Sequence, residues 1–151
     1  MAGRKILVTG GAGFIGSNLI DSLLCQGDTV VAIDNFNDFY APAVKRRNAA
    51  EHSTHPAYTL VEGDIRDDVA LDRAFQHGPF DVVVHLAAMA GVRPSLLQPA
   101  HYMDVNVVGT QKIIDRIIPN AKQTRLVFGS SSSVYGGRSG ESFKESDRVD
   151  Q

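Results

Sequence analysis

The chain has 151 residues, of which 43% are hydrophobic and 21% charged, and its formal net charge is −2 at pH 7. This balance is typical of an ordinary globular domain, and a near-neutral charge without a basic block argues against a nucleic-acid-binding protein. The single cysteine excludes an internal disulfide and a cysteine-rich zinc site, and the five histidines show no metal-ligand spacing.

Short apolar runs alternate along the chain with longer segments of helical periodicity. The apolar runs predict strands at residues 5–9, 29–34, 58–62, 81–85 and 125–128. The periodic segments predict helices at residues 14–26, 67–77 and 99–118. Segment 37–51 is predicted as part loop and part helix, the region around Pro94 as a loop, and residues 136–151 as polar chain without a periodic apolar pattern.

Strands that are joined by helical crossovers predict a parallel sheet covered on both faces. Continuous β-branched runs such as Val82–Val84 fit strands buried on both sides. We therefore expect an α/β fold with a doubly wound parallel sheet, in one domain that spans residues 1–151. In such a fold a ligand binds at the carboxyl ends of the strands.

No apolar run reaches the length of a targeting or membrane segment. The run after the charged N-terminus is only Ile6–Val8, whereas a signal peptide needs about 7–15 apolar residues and a spanning helix about 20. We therefore predict a cytoplasmic protein that does not enter the membrane.

The glycine-rich turn after the first strand predicts a phosphate site. The segment Thr9–Gly16 reads as GxGxxG from Gly11 or as GxxGxxG from Gly10. One glycine makes the tight turn, another lets the backbone approach a pyrophosphate, and Gly16 allows close packing of helix and strand. The N-terminus of the following helix supplies N–H donors to the phosphates.

Asp34 ends the second strand, 18 residues after Gly16. An acidic residue at this place accepts hydrogen bonds from the adenosine ribose hydroxyls, and its charge repels a 2′-phosphate. The pair of signals therefore predicts NAD rather than NADP. The basic segment Lys45–Arg47 is interpreted as a solvated face, Cys25 as a small buried hydrophobe and His85 as a hydrogen-bonded structural histidine.

Several motifs in order resemble the extended short-chain dehydrogenase/reductase family, in particular its nucleotide-sugar epimerases. They are Thr9–Gly16, Asp34–Asn35, Gly63–Arg66, His85–Ala88, Asn106 before Gly109–Thr110, and Ser130–Gly136. The segments Asp34–Tyr40 and Ala90–Arg93 look most like UDP-glucuronate 4-epimerases.

The resemblance implies an NAD site in which Asp64 and Ile65 flank the adenine and Asn106 holds the nicotinamide side. The implied cofactor residues are Gly10, Gly13, Phe14, Ile15, Gly16, Asp34, Asn35, Asp64, Ile65, Leu86, Ala87, Ala88 and Asn106. Structural alternatives stay open: Asp64 as a cap of the following helix, Leu86–Ala88 as close packing without a ligand, and Asn106 as a helix-kink residue.

The resemblance also implies that Ser131 is a catalytic hydroxyl able to bridge the sugar O4 and a catalytic phenol. Ser132 and Ser133 are expected at the substrate, where related 4,6-dehydratases carry acidic residues, so serines favour epimerisation over dehydration. Arg93 is a candidate for a sugar carboxylate or phosphate, or a solvated loop residue. The structural alternative for the serines is a turn that satisfies its own backbone.

The family's base is a tyrosine followed four residues later by lysine, and this pair is missing. The residues four after the tyrosines Tyr40, Tyr58, Tyr102 and Tyr135 are Val44, Glu62, Asn106 and Ser139. The resemblance therefore implies the N-terminal portion of an epimerase that binds a sugar nucleotide, ending before the last strands and the C-terminal substrate domain, with little turnover by itself. It also implies a possible homodimer. The alternatives are a stand-alone NAD-binding module without catalysis and part of a sugar-nucleotide 4,6-dehydratase.

Overall fold

The computed structural model describes residues 3–137 and 142–149, so Ser139 and part of the polar C-terminal segment lie outside the described residues. Within them the strands form one parallel sheet in the order β3-β2-β1-β4-β5. This is the strand order of a doubly wound dinucleotide-binding sheet, and the predicted fold is confirmed. The strands are β1 (Lys5–Thr9), β2 (Thr29–Asp34), β3 (Tyr58–Glu62), β4 (Val82–His85) and β5 (Arg125–Phe128).

The helices connect successive strands as crossovers. They are α1 (Phe14–Cys25), α2 (Pro42–Ala50), α3 (Asp68–Phe75), α4 (Val92–Leu97), α5 (Pro99–Met103) and α6 (Thr110–Ile117). A π-helical segment, Asp104–Gly109, joins α5 to α6, and short 3-10 turns cover Ile118–Asn120 and Ser132–Tyr135. The predicted helix 99–118 is therefore present as α5, the π segment and α6.

The prediction of a loop around Pro94 is wrong, because that region forms the short helix α4. Pro94 is the third residue of α4, and an N–H in the first turn of a helix has no intrahelical partner. Proline can therefore occupy this position without removing a helical hydrogen bond. Gly91 precedes the helix with φ +95°, a conformation that favours glycine.

The sheet is covered on both faces. Along β1 the side chains alternate, so that Leu7 packs with α3 and α6 on one face while Ile6 and Val8 pack with α1 on the other. Leu71 and Ile113 bury completely in the first layer, and Ile20 in the second. This two-sided burial is why β1 and β2 read as continuous apolar runs rather than alternating ones.

Two interpretations made from the sequence are wrong, one of Cys25 and one of the basic segment Lys45–Arg47. Cys25 is exposed at the end of α1 rather than buried. The basic segment is not uniformly solvated, since the Lys45 side chain is only 8% exposed and contacts Asp34, whereas Arg46 is exposed and pairs with Glu62. Among the described residues, no helix has the length and apolar character needed to span a bilayer.

Candidate functional site

A cavity of about 460 Å³ lies at the carboxyl ends of the strands, the edge at which a doubly wound sheet binds its ligands. Its volume is within the range of small-molecule and cofactor sites. Every residue that the sequence predicted for the cofactor lines this cavity except Asn106. The structure therefore brings together residues from the turn after β1 and from the ends of β2, β3 and β4.

The glycine-rich turn forms one end of the cavity and is closed to larger side chains. Gly10 has φ +71°, and a Cβ there would lie 2.9 Å from the Ala87 backbone nitrogen. A Cβ at Gly16 would overlap the Gly10 carbonyl oxygen. Helix α1 begins directly after Gly13 without a side-chain cap, so its first N–H groups have no intrahelical or capping partner in the part of the chain that the structure describes. An uncapped helix N-terminus of this kind accommodates an anion.

Asp34 joins the end of β2 to this turn. Its Oδ2 accepts a hydrogen bond from the Ala12 backbone nitrogen at 3.1 Å, and its Oδ1 accepts one from Phe36 at 2.8 Å. Phe36 has a positive φ of 52°, which bends the chain sharply after β2. A carboxylate has about four acceptor positions, so the buried Asp34 side chain can still accept from the hydroxyls of a ligand.

The loop after β2 and helix α2 add polar groups that sequence reasoning missed. Lys45 Nζ donates to Asn37 Oδ1 at 2.6 Å, lies 3.8 Å from Asp34 Oδ1 and sits 5.2 Å from the centre of the Tyr40 ring. Lys45, Asn37, Phe39 and Tyr40 all line the cavity. Lys45 lies next to Asp34 because of the path that the intervening loop takes. That path cannot be predicted from the spacing of the residues along the sequence.

The Tyr40 hydroxyl is buried and has no hydrogen-bond partner among the described residues. Burial and the nearby Asp34 raise the pKa of Tyr40, while the Phe14 backbone N–H, which lies close to the phenol oxygen, acts in the opposite direction. A buried hydroxyl without a partner is rare in folded proteins and points to a missing ligand or water. Together with the glycine turn and the uncapped α1, it fits a dinucleotide with anionic phosphates.

Asp64 stands at the end of β3 in an ion-pair network. Its Oδ1 accepts from the Arg66 backbone nitrogen at 2.8 Å and from Nε at 2.9 Å, and its Oδ2 accepts from Asn35 Nδ2 at 2.8 Å. The Arg66 guanidinium lowers the pKa of Asp64 to about 2. The alternative that Asp64 caps the next helix is wrong, since Asp67 caps α3 by accepting from Val69. Asp64 instead joins the ends of β2 and β3.

The wall formed by Leu86–Ala88 is held by a directional chain of hydrogen bonds. Thr9 Oγ1 accepts from the backbone nitrogens of Leu86 and Ala87, both at 3.1 Å, so its own hydrogen is free to donate to His85 Nδ1 at 2.6 Å. His85 Nε2 then donates to Thr110 Oγ1 at 2.9 Å. Burial lowers the pKa of His85 to about 4, so it is neutral at pH 7. The prediction of a structural histidine is confirmed.

Residues 7–150 match the family model described as GDP-mannose 4,6 dehydratase. The chain belongs to this family. The UDP-glucuronate 4-epimerase 3 of Arabidopsis thaliana is 41% identical to it over 149 residues, which cover 99% of this chain and 34% of that protein. This chain thus spans about a third of the length of the curated relatives it matches.

Solved structures agree with this family. The UDP-glucuronic acid 4-epimerase of Bacillus cereus, crystallised with UDP-glucuronic acid and NAD, has a TM-score of 0.78 and 36% identity over 93% of this chain and 44% of that one. An epimerase of Methanothermobacter thermautotrophicus has a TM-score of 0.80 and 34% identity over 97% of this chain and 41% of that one. The resemblance to nucleotide-sugar epimerases that the motifs indicated is therefore confirmed.

In this member of the GDP-mannose 4,6 dehydratase family, Asn106 lies on the π segment outside the cavity lining. Its Oδ1 accepts from the Met89 nitrogen at 2.7 Å, and its Nδ2 donates to the Met89 oxygen at 2.9 Å. The side chain thus fastens the segment after β4 to the helix. Direct contact of Asn106 with a cofactor stays a prediction that this geometry does not favour.

The predicted substrate residues are not gathered at the cavity. Ser130 and Gly129 line it, whereas Ser131, Ser132 and Ser133 are exposed beside it. Ser131 Oγ accepts from the Ser133 nitrogen at 3.2 Å, as the structural alternative of a self-satisfied turn requires. Arg93 is exposed on α4. The catalytic role of Ser131 and the substrate roles of Ser132, Ser133 and Arg93 stay predictions. Among the residues that the structure describes, no group of three His, Cys, Asp or Glu side chains is placed to hold a metal ion.

Proposed function

We propose that this chain is the NAD-binding portion of a nucleotide-sugar 4-epimerase of the UDP-glucuronate class. The observation that carries the proposal is the cavity at the strand ends, where an uncapped helix N-terminus, a glycine turn and a buried carboxylate lie side by side. The similarity to epimerases, one of them crystallised with NAD and UDP-glucuronic acid, supports it. On this proposal residues 1–151 belong to one dinucleotide-binding domain.

Each part of the cavity has a role in this proposal. The N–H groups at the start of α1 and the glycine turn bind the pyrophosphate, and Asp34 accepts from the ribose hydroxyls. The Leu86–Ala88 wall keeps water from the reacting part of the site. When bound, NAD supplies reversible oxidation at C4 of the sugar. The Ser131 hydroxyl would meet the sugar O4 from the turn beside the cavity.

The charge of Asp34 supports NAD over NADP, since a 2′-phosphate would be placed against a buried carboxylate. Lys45 reduces this repulsion without removing it, because its Nζ is 3.8 Å from Asp34 Oδ1 and also binds Asn37. We therefore expect discrimination between the two cofactors rather than complete exclusion of NADP.

Calorimetric titration of the 151-residue chain with NAD⁺ and NADP⁺ tests the proposal. We expect one NAD⁺ site, weaker binding of NADP⁺, and an NAD⁺ affinity at least about tenfold lower in Asp34→Ala, because hydrogen bonds to a charged group contribute about 1.5–3 kcal/mol. The matched control is Asp115→Ala, which removes an exposed carboxylate on α6. A folded wild-type chain that binds no NAD⁺ contradicts the proposal.

The same proposal has four further parts. The complete enzyme binds a sugar nucleotide, forms a homodimer and is cytoplasmic, and the 151 residues alone do not turn over substrate. The DNA beyond codon 151 separates the epimerase from a non-catalytic NAD-binding module. An in-frame Tyr-x-x-x-Lys supports the epimerase, and a stop codon favours the module. Release of water from a UDP-sugar by the complete enzyme would favour a 4,6-dehydratase instead.

A further inference from the structure

The Tyr40 hydroxyl lies at the end of the cavity where helix α1 begins. Its oxygen is 3.9 Å from the place that a Cβ on Gly13 would take. It is also close enough to the Phe14 amide for that amide to influence its protonation. The hydroxyl therefore stands over the start of α1, although Tyr40 is 26 residues further along the chain than Phe14.

Two kinds of hydrogen-bond donor, the phenol O–H and the first N–H groups of α1, meet at this point, and the described residues give the phenol no partner with hydrogen-bond geometry. The phenol O–H is buried and unpartnered among the described residues, and the first N–H groups of α1 have no side-chain cap. Removing a polar group from water without giving it a partner costs free energy. An oxygen atom with negative charge, placed between them, would accept from both kinds of donor.

The surroundings of Tyr40 make it a donor that is held in place. Lys45 Nζ lies 5.2 Å from the ring centre and is itself fixed by Asn37. Burial and Asp34 raise the pKa of Tyr40, so the phenol keeps its proton at neutral pH. The positive charge of Lys45 also favours an anion at this end of the cavity.

We propose that the Tyr40 hydroxyl donates a hydrogen bond to a pyrophosphate oxygen of the bound dinucleotide. This inference rests on the proposed NAD site, and it adds a residue of the loop after β2 to a phosphate site otherwise built from the turn after β1. The alternative is that the Tyr40 hydroxyl binds a ribose hydroxyl near Asp34 instead of a phosphate oxygen.

Tyr40→Phe tests the inference, and Tyr58→Phe is a matched control. The Tyr58 hydroxyl is also buried without a partner among the described residues, but Tyr58 lies at the start of β3 beside His52 and does not line the cavity. Both changes delete one unpaired buried oxygen, so in each variant we expect the melting temperature of the unliganded chain to be unchanged or higher.

The two variants are expected to differ only when ligand is added. For Tyr40→Phe we expect the Kd of NAD⁺ and of ADP to rise about tenfold or more, the effect of losing a hydrogen bond to a charged group, with a smaller NAD⁺-induced rise in melting temperature. Adenosine, which has the ribose but no phosphate, should bind both forms equally. Tyr58→Phe should leave all three affinities unchanged.

Unchanged NAD⁺ and ADP affinities in Tyr40→Phe overturn the inference, and an equal loss of adenosine affinity assigns Tyr40 to the ribose instead. If the wild-type chain binds ADP but not NAD⁺, the proposed function is contradicted. The contact between Tyr40 and a phosphate is then still tested by comparing the ADP affinities of wild type and Tyr40→Phe. A folded wild-type chain that binds none of the three ligands overturns both.

Discussion

The Asp34 side chain binds backbone N–H groups of two neighbouring segments and also faces the cavity. Its two oxygens accept from Ala12 in the glycine turn and from Phe36 in the following loop, which fixes both segments relative to β2. The same oxygens face the cavity beside Lys45. On the proposed function, loss of the Asp34 side chain therefore removes a ligand contact and also loosens the glycine turn.

Gly16 is the residue at which the turn tolerates least change. A Cβ there overlaps the Gly10 carbonyl oxygen, a backbone atom that cannot move without opening the turn. For Gly16→Ala we expect a loss of about 1–3 kcal/mol in the free energy of unfolding, the usual cost of overpacking, and strongly reduced NAD⁺ binding. Urea unfolding and calorimetry measure the two effects.

The matched control for this prediction is Gly137→Ala, since no atom of residues 3–137 or 142–149 lies within 4 Å of the added methyl group. Its effect on stability is expected to stay within about 0.5 kcal/mol, as for most surface changes. Equal effects of the two substitutions on unfolding and on NAD⁺ binding would contradict the steric explanation.

His85 makes the stability of the fold depend on pH. Its pKa is lowered to about 4 by burial, whereas an unfolded histidine titrates near 6.5. Between these values the unfolded chain binds a proton that the folded chain does not, so the free energy of unfolding falls as the pH drops from 6.5 to 4. The loss from this group reaches about 3 kcal/mol, at about 1.36 kcal/mol per unit of pKa.

Urea unfolding at pH 7 and pH 4.5 measures this dependence. His85→Gln keeps a donor for Thr110 but gains no proton, so we expect it to be less stable than wild type at pH 7 and to lose less stability between the two pH values. Asp64, with a pKa of about 2, loses its contribution only at lower pH. His55→Gln, at an exposed histidine, should keep the wild-type dependence, and an unchanged pH dependence in His85→Gln would refute the assignment.

At the scale of elements, the π segment holds the cavity wall through one side chain. Asn106 binds both polar groups of the Met89 backbone, directly after the Leu86–Ala88 wall. Asn106→Ala leaves these two groups unpaired, and we expect a loss of about 1–3 kcal/mol in stability together with weaker NAD⁺ binding. Denaturant unfolding and titration of the same samples measure both.

Val107→Ala is the control for Asn106→Ala, since Val107 is the next residue of the π segment and is 52% exposed. We expect only a small effect on stability and none on NAD⁺ affinity. Asn106→Asp separates the two hydrogen bonds, because it keeps the acceptor for the Met89 nitrogen and loses the donor to the Met89 oxygen. Wild-type NAD⁺ affinity in Asn106→Ala would show that the wall does not depend on this contact.

The elements differ in how well the sequence predicts them, for physical reasons. All five strands are predicted to within one residue. In β1, β2 and β4 the reason is a Val- and Ile-rich run that is buried on both faces, whereas β3 and β5 are more exposed and are predicted as short apolar runs between helical segments. The π segment was not predicted, since the 3.6-residue period of an α-helix was assumed throughout residues 99–118 and π-helical turns are rare. Helix α4 was missed because Pro94 reads as a breaker unless the helix start is known.

At the scale of the whole molecule, the sequence predicts the parts of the site that lie next to strand ends. It does not predict the parts that a loop brings to the cavity. The glycine turn, Asp34 and the Leu86–Ala88 wall are adjacent to strand ends, so the parallel order of the sheet brings them together. Lys45 and Tyr40 reach the cavity through a loop that turns at Phe36, which has a positive φ, and that is joined to Lys45 by a hydrogen bond from its Nζ to Asn37. Those contacts are tertiary and leave no periodic signal.

The exposed Cys25 has a practical consequence for measuring the site. It is the single cysteine of the sequence and lies at the opposite end of α1 from the glycine turn. At 1.5 Å per residue, the eleven residues from Phe14 separate it from the start of the helix by about 16 Å. A maleimide dye or a surface tether therefore attaches at one known position, with the mouth of the cavity left open to ligand.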